Sequence, residues 1–440
     1  MYAFLTLLDP AVMRDVLSTY LAQYDRDGFL MGNWDPYDPG AWAGQQWGFF
    51  GYLFLAARLE GVTGVDYARA ERAIRSTMGE NATGRYLAST GYYRYGYVPA
   101  NIGTTNYLSR GMEFATDLAG LAHLAYLLGD KAAYGAYARY ATAYKRTWNP
   151  AGRIFQARNT DGSLAPVNAG LFEGDTTAYA FDAPQDGPGL AALYGDSAMA
   201  AEIAASYARP GVSYNDYQLT QPYLAIEADS PSTAQRIIRD YFLPEFSSAT
   251  MWEVPPGGGS AYYTDNASAV VLASLGIYPI QSPGAQWMLN SPAVAAAVIH
   301  GRRNTFIGAP GNSPSTPYVS GIRVNGARYP SEFISGETLA TRATTIDFAM
   351  TAAPARIASA YVTASTGEIL AAGTDGRGDL RVRVDPLGPA AELTVHAAAA
   401  PASVTVNGAA LPRASWSYDP VARLLTLRVV PQGTLLISWL

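Results

Sequence analysis

The stretch Phe172-Glu-Gly-Asp-Thr-Thr-Ala-Tyr-Ala-Phe-Asp-Ala-Pro-Gln-Asp186 holds the densest run of groups able to do chemistry. Glu173 precedes a glycine and leads into an aromatic-rich segment. Partial burial among such residues raises a carboxyl pKa and makes the group a proton donor near neutral pH. The competing reading is that Glu173 or Asp175 caps the next helix, because short acceptors satisfy the free N–H groups of a first turn. A second run, Tyr214-Asn-Asp-Tyr-Gln-Leu-Thr-Gln-Pro-Tyr223, sets Asn215 beside Asp216. Their oxygens are hard ligands of the kind calcium takes, and the same pair is also a helix-capping signal. A third run, Pro255-Pro-Gly-Gly-Gly-Ser-Ala-Tyr-Tyr-Thr-Asp-Asn266, is a glycine-rich loop entering a helix that Asp265 is expected to cap. It lacks the GK[ST] ending of a phosphate loop.

Composition narrows the chemistry further. The 440 residues contain no cysteine and three histidines, His123, His300 and His396, each expected in a core or surface role. Thiolate metal sites, a cysteine nucleophile and a multi-histidine zinc site are thereby excluded or strained. Net charge is −6, which argues against a phosphate backbone as partner. Hydrophobic residues at 49% and charged residues at 15% exclude a disordered chain. The excess is aromatic, with 31 Tyr, 14 Phe and 8 Trp. Carboxylate acid/base chemistry on a sugar suits this inventory, since aromatic rings give sugars an apolar stacking face. No apolar run reaches the ~18 residues of a membrane span. Residues 3–8 are apolar, but Asp9-Pro10 ends them and no basic segment leads them, so no secretion signal is expected within this sequence.

The elements that must position these residues fall into two regimes. Up to about residue 276 the apolar spacing is helical. Asp9 caps and Pro10 opens a first helix carrying Val12, Met13, Val16, Leu17, Tyr20, Leu21 and Tyr24 on one stripe. Similar patterns predict helices near 41–60, 66–78, 109–128, 131–147, 178–194, 198–208, 217–228, 231–243 and 265–276. In the 131–147 helix, Tyr134, Tyr137, Tyr140 and Tyr144 share a face suited to packing between helices. Short connections suggest stacked helix hairpins closing into a toroid. Two longer polar connections, about 79–106 and 149–177, suit functional loops.

After Pro279 the period becomes two, as in Leu380-Arg-Val-Arg-Val384 and Leu425-Thr-Leu-Arg-Val429. Val324-Asn-Gly-Ala-Arg-Tyr-Pro330 and Val406-Asn-Gly-Ala-Ala-Leu-Pro412 each read as a strand, an Asn-Gly hairpin turn and a returning strand. The fold expected is α+β and multidomain. A mainly α-helical region over 1–284, whose hairpins could close into a toroid, precedes antiparallel β modules over 285–353 and 354–440.

These motifs, in order, resemble glycoside hydrolase family 92, the calcium-dependent inverting exo-α-mannosidases. The family's E-G-N-A-W-Q-Y and V-P-H-D resemble Glu173-Gly-Asp-Thr-Thr-Ala-Tyr179 and Ala183-Pro-Gln-Asp186. Its N-E-P-x-H-H-x-P-Y resembles Asn215-Asp-Tyr-Gln-Leu-Thr-Gln-Pro-Tyr223, and its S-A-L-G-F-Y-P resembles Ala273-Ser-Leu-Gly-Ile-Tyr-Pro279. Ala309-Pro-Gly-Asn-Ser-Pro314 is similar to A-P-x-N-S-P, and Ser109-Arg-Gly-Met-Glu-Phe114 to S-R-T-L-E-Y. The resemblance runs from about residue 2 to 350 and covers the C-terminal part of the family plan.

The resemblance implies that the toroid is of the (α/α)6 type. It implies an inverting α-mannosidase-like glycoside hydrolase acting on a glycan or oligosaccharide, at an extracellular or periplasmic location. It implies Glu173 as general acid, Ca2+ as cofactor and Asn215 with Asp216 as metal ligands. Substrate contacts would come from Tyr179, Asp186, Trp47, Tyr223 and Tyr262. No nucleic acid or membrane partner is expected. Departures from the family pattern are specific. The loop that carries the general base in the family reads Gly257-Gly-Gly-Ser-Ala-Tyr-Tyr-Thr264 here and has no carboxylate, so the base is unassigned. Family histidines are replaced by Leu219, Thr220 and Gln185. The alternative is a noncatalytic carbohydrate-binding protein, or a pseudoenzyme fragment without its general base.

Overall fold

The computed structural model describes residues 2–30, 49–79, 91–102, 106–172, 174–209, 219–245, 263–281, 284, 286–430 and 433–439. Up to Leu275 the chain is mainly helical: α1 (Tyr2–Leu8), α2 (Pro10–Asp27), α3 (Phe50–Leu59), α4 (Tyr67–Met78), α5 (Tyr92–Tyr95), α6 (Tyr107–Leu127), α7 (Lys131–Ala141), α8 (Gly187–Tyr194), α9 (Asp196–Tyr207), α10 (Gln221–Glu227), α11 (Pro231–Ile237), α12 (Leu243–Glu245) and α13 (Tyr263–Leu275). The capping signals act locally as expected. Asp9 accepts from the Ala11 and Val12 amides, and Asp130 accepts from the Ala133 amide at the start of α7. α13 begins at Tyr263, so Asp265 lies in its first turn and is not the residue before it.

α6 is the hub. Nearly its whole length is buried, from Leu108 to Ala125. It crosses α3 with the backbones touching. A Cβ on Gly51 would lie 2.2 Å from the Asp117 carbonyl, and one on Gly120 would lie 2.3 Å from the Gly51 carbonyl carbon. Only glycine allows that approach. The Asp117 carboxylate accepts from the Gly51 amide at the N-terminus of α3, and burial still pushes its pKa up to about 7. The tyrosine face of α7 packs between elements as its spacing implied. Tyr134 meets His123 and Tyr126, Tyr140 meets Tyr92 and Tyr93, and Tyr144 meets Phe155. The helix is shorter than the pattern suggested, because Ala143–Thr147 tightens into a 3-10 turn.

Two helices differ from expectation. The 178–194 pattern becomes helical only at Gly187. Pro184 opens a short 3-10 turn, Asp186 caps α8, and a proline removes amides that a longer helix would use. The 231–243 pattern is α-helical only to Ile237 and continues as a π-helical turn, Ile238–Phe242.

The remainder is β. A small hairpin, β1 (Trp148–Asn149) with β2 (Ile154–Phe155), lies within the helical part. Next come β3 (Ile277–Pro279), β4 (Gln286–Leu289), β5 (Ala296–Ile299), β6 (Thr305–Gly308), β7 (Tyr318–Val324), β8 (Ala327–Arg328), β9 (Phe333–Ser335), α14 (Gly336–Thr341) and β10 (Thr344–Thr351). They form a three-stranded sheet, β3-β4-β9, and a five-stranded sheet, β5-β6-β10-β7-β8. The second is mixed, not purely antiparallel: β10 inserts between β6 and β7 and runs parallel to β6. The long connection from β6 through β7, β8, β9 and α14 supplies the crossover that a parallel neighbour needs.

The last strands are β11 (Ala360–Ser365), β12 (Glu368–Thr374), β13 (Leu380–Asp385), β14 (Ala391–Ala397), β15 (Ser403–Val406), β16 (Ala409–Ala410), β17 (Trp416–Asp419), β18 (Leu424–Val429) and β19 (Gly433–Ser438). They make two antiparallel sheets, β11-β14-β18-β17 and β12-β13-β19-β15-β16. Leu380, Val382 and Val384 of one sheet and Leu425, Leu427 and Val429 of the other are buried in one cluster. Both Asn-Gly turns have positive φ at each residue, 51° and 80° at Asn325-Gly326, 52° and 80° at Asn407-Gly408. That is the two-residue hairpin geometry their sequence called for. Among the described residues no helix is long and apolar enough to cross a membrane.

Candidate active site

The loop that carries Glu173 is pinned on both sides of it. The Tyr179 hydroxyl donates to the Phe172 carbonyl at 2.7 Å and closes the loop on itself. Asp175 accepts from the Thr177 and Ala178 amides at 2.8 and 3.0 Å, so it caps this turn and not a helix. Burial acts to raise the Asp175 pKa, but those amides and the Arg209 guanidinium outweigh it and hold the group below the usual carboxylate range. Upstream, Gly170 gives its carbonyl to the Leu108 and Ser109 amides at 2.8 and 3.2 Å, which docks the loop on the N-terminus of α6. There Ser109, Arg110 and Glu113 are buried, and Arg110 and Glu113 share a face by their i, i+3 spacing.

Both ends of the segment that includes Asn215 and Asp216 attach to this same loop. At one end Arg209 donates to the Thr177 hydroxyl at 2.7 Å and lies 3.5 Å from Asp175. At the other, Gln221 donates its side-chain amide to the Ala178 carbonyl at 2.5 Å. Gln221 opens α10, which also carries Tyr223. The Tyr223 ring is buried and stacks on Tyr278 with centroids 4.2 Å apart and planes 13° apart. Thr116 of α6 donates to Gln185 at 2.7 Å. Four sequence segments, 109–116, 170–186, 221–223 and 278, are thus joined by direct contacts. The fifth, 309–314, is held elsewhere, where Arg239 donates to the Asn312 side chain at 2.7 Å.

Asp186 is the best defined of the predicted substrate contacts. Its Oδ1 accepts from the Gly189 amide at 3.1 Å. Its Oδ2 lies 2.7 Å from the Lys145 ammonium and accepts from the Tyr144 hydroxyl at 3.0 Å. Tyr179 and Tyr223 are about 1% exposed, so in the described structure both are packed into the core. Glu173, Asn215, Asp216, Trp47 and Tyr262 lie outside the described residues. Among the described residues no cluster of His, Asp and Glu could hold a metal ion. A recess of about 10 Å3 between Tyr92, Tyr107 and Tyr144 is too small for a sugar ring.

Two carboxyls were missed by the sequence reading. Glu227, at the end of α10, is fully buried, its Oε2 has no hydrogen-bond partner among the described residues, and burial together with the Asp186 charge pushes its pKa up to about 8. Asp182 is pushed up to about 7 by burial. The one signal for Glu227 was its helical spacing, four residues after Tyr223, on a face otherwise apolar.

Against known proteins, the model of the glycosyl hydrolase family 92 catalytic domain matches residues 1–352. The chain belongs to glycosyl hydrolase family 92. No curated protein matches it. Solved structures of the family share its fold. The family GH92 α-mannosidase BT3965 from Bacteroides thetaiotaomicron, in complex with mannoimidazole, superposes with a TM-score of 0.71 at 20% identity, covering 80% of this chain and 50% of that one. The family GH92 inverting mannosidase BT2199 from the same organism gives 0.66 at 19% identity, over 78% of this chain and 51% of that one. The family GH92 glycosyl hydrolase ccman5 gives 0.61 at 18% identity, over 80% and 52%. The chain therefore spans about half the length of the family 92 structures it matches.

Proposed function

We propose that this family 92 chain is a glycoside hydrolase for α-linked sugars, α-mannosidase-like and inverting, with Glu173 as general acid. The observation that carries the reading is the family 92 catalytic-domain match over residues 1–352. The contacts of Thr177 with Arg209 and of Ala178 with Gln221 support it, because they tie the Glu173 loop to both ends of the 210–218 segment. In this reading the helices form the family's (α/α)6-type toroid.

An inverting hydrolase needs an acid that protonates the leaving oxygen and a base that activates water on the opposite face of the ring. Glu173 supplies the first, and the base is unassigned. Tyr179 and Asp175 tie down the chain on either side of Glu173 through Phe172, Thr177 and Ala178. Lys145 and Tyr144 orient the Asp186 carboxylate, which would accept from a sugar hydroxyl. Asn215 and Asp216 would hold a Ca2+ ion, their oxygens being the hard donors calcium prefers. A bound Ca2+ supplies a fixed positive charge that orients sugar hydroxyls.

The test is hydrolysis of a panel of aryl α-glycosides with and without calcium. Turnover of an α-mannoside, reduced ~10²–10⁴-fold by Glu173→Gln, is expected. Saturable mannose binding by calorimetry with no turnover of any glycoside would replace the enzyme with a carbohydrate-binding protein.

A further inference from the structure

The strands after residue 352, beyond the family match, are bonded to the helix that braces the Glu173 loop. Ile226, on the last turn of α10, gives its carbonyl to the Thr363 hydroxyl of β11 at 2.7 Å in a buried contact. Two residues past α10 is Asp229, with φ at 52°. Its carboxylate is nearly buried and takes three donors. Oδ1 accepts from the Arg356 guanidinium at 2.5 Å and from the Tyr361 hydroxyl at 3.1 Å. Oδ2 accepts from His396 Nδ1 at 3.0 Å. Arg356 also donates to the Asp229 carbonyl at 3.0 Å. The Tyr361 and His396 rings stack with centroids 5.3 Å apart, which fixes two of the donors relative to each other. Arg356 lies in the 352–359 connection, Tyr361 on β11 and His396 on β14, so among the described residues every side-chain donor to this carboxylate comes from beyond residue 352.

α10 is a stiff rod of about 10 Å. Its far end is Gln221, whose amide holds Ala178 in the loop after Glu173. We propose that Asp229 is a positioning residue: by anchoring the C-terminal end of α10 to the β-sandwich, it holds Gln221, and through it the Glu173 loop, in place. The kinetic part of this proposal rests on the glycosidase reading; the mechanical part does not. The sandwich is then a structural part of the site and not an appended module.

Hydrogen exchange of the whole chain tests it. In Asp229→Ala, amides of 219–228 and of 174–179 are expected to exchange about tenfold faster or more, while strands β18 and β19 keep their protection. His396→Gln, which keeps a donor to the carboxylate, should restore most of the slow exchange relative to His396→Phe, which keeps only the ring stack. With an active enzyme, kcat on an aryl α-glycoside should fall in Asp229→Ala and His396→Phe with KM nearly unchanged. Faster exchange confined to 224–231, with 174–179 as slow as in the parent, overturns the proposal whether or not the protein hydrolyses any glycoside. If Asp229→Ala does not fold, the His396 pair carries the same comparison. If the parent shows no turnover, the glycosidase reading fails alone and the exchange result still decides the positioning role.

Discussion

The Glu227 carboxylate occupies the place where a side chain on Gly187 would begin: a Cβ built there lies 1.1 Å from Oε2. Gly187 opens α8 with a φ of −53°, so its backbone is unstrained and only the carboxylate excludes a methyl group. Gly187→Ala is therefore expected to destabilise the fold by about 1–3 kcal/mol, as overpacking does, despite the better helix propensity of alanine. Glu227→Ala frees that space, so the double variant should lose less than the sum of the singles by at least ~0.5 kcal/mol. Urea unfolding midpoints measure all four corners of the cycle, and strict additivity would show that the two residues do not compete for one volume.

Gln221 is fully buried, and its amide is the brace for Ala178. Gln221→Ala removes the donor and leaves the carbonyl short of a partner, at a cost of about 1–3 kcal/mol. Gln221→Glu should be worse, since it sets a carboxylate against a carbonyl oxygen in a buried place. Both variants should lower turnover more than they lower affinity, because they loosen the loop of the acid. A melting temperature equal to the parent's in Gln221→Glu would remove the brace from the account.

How legible this was depends on the range of each signal. The Asn325-Gly326 and Asn407-Gly408 hairpins were readable because two adjacent residues needed positive φ. Asp9 and Pro10 marked the start of α2 for a similarly local reason. The 178–194 region misled because its apolar spacing continues through Pro184, whereas the backbone cannot. The insertion of β10 beside β6 had no local signature. At the site, residues near Glu173 stood out by type and spacing, but Gln221, Lys145 and Glu227 acquire meaning only from neighbours tens of residues away. No pattern in one sequence records that Asp229 faces Arg356 and His396 from beyond residue 352.

Tyr223 offers a test of packing against recognition. Its hydroxyl is buried with no hydrogen-bond partner among the described residues, and its ring stacks on Tyr278. Burial raises its pKa well above the usual tyrosine value, so the phenol is neutral and supplies only its ring. Tyr223→Phe keeps the stack and removes an unsatisfied group, so stability should stay level or rise by up to about 1 kcal/mol. Tyr223→Ala should cost about 3–5 kcal/mol. If Tyr223→Phe instead raised KM for a glycoside severalfold at unchanged stability, the hydroxyl would be a sugar contact exposed by rearrangement on binding.

Glu60 sets an expected pH dependence of stability. It is buried at the end of α3, accepts from the Trp287 indole N–H at 3.1 Å, and is pushed up to about 8 by burial, the Trp287 and Thr6 hydrogen bonds offsetting part of the rise. Unfolded, a glutamate titrates near ~4.3. Below that value both states are protonated and Glu60 costs nothing. As pH rises from about 4.3 towards 8 the unfolded chain releases its proton while the folded one retains it, so stability is lost across that window and levels off above it. Glu227 and Glu368 act in the same direction, since burial pushes each up to about 8 as well. Glu60→Gln keeps an acceptor for Trp287 and carries no titrating proton. Relative to the parent it should be about equal at pH 4.5 and more stable at pH 8.5, by on the order of 1–3 kcal/mol. The difference between the two proteins cancels the titrating groups that Glu60 does not influence, so urea midpoints at the two pH values measure Glu60 together with its coupling to Glu368. An advantage for Glu60→Gln that is the same at both pH values would mean that Glu60 titrates normally in the folded chain.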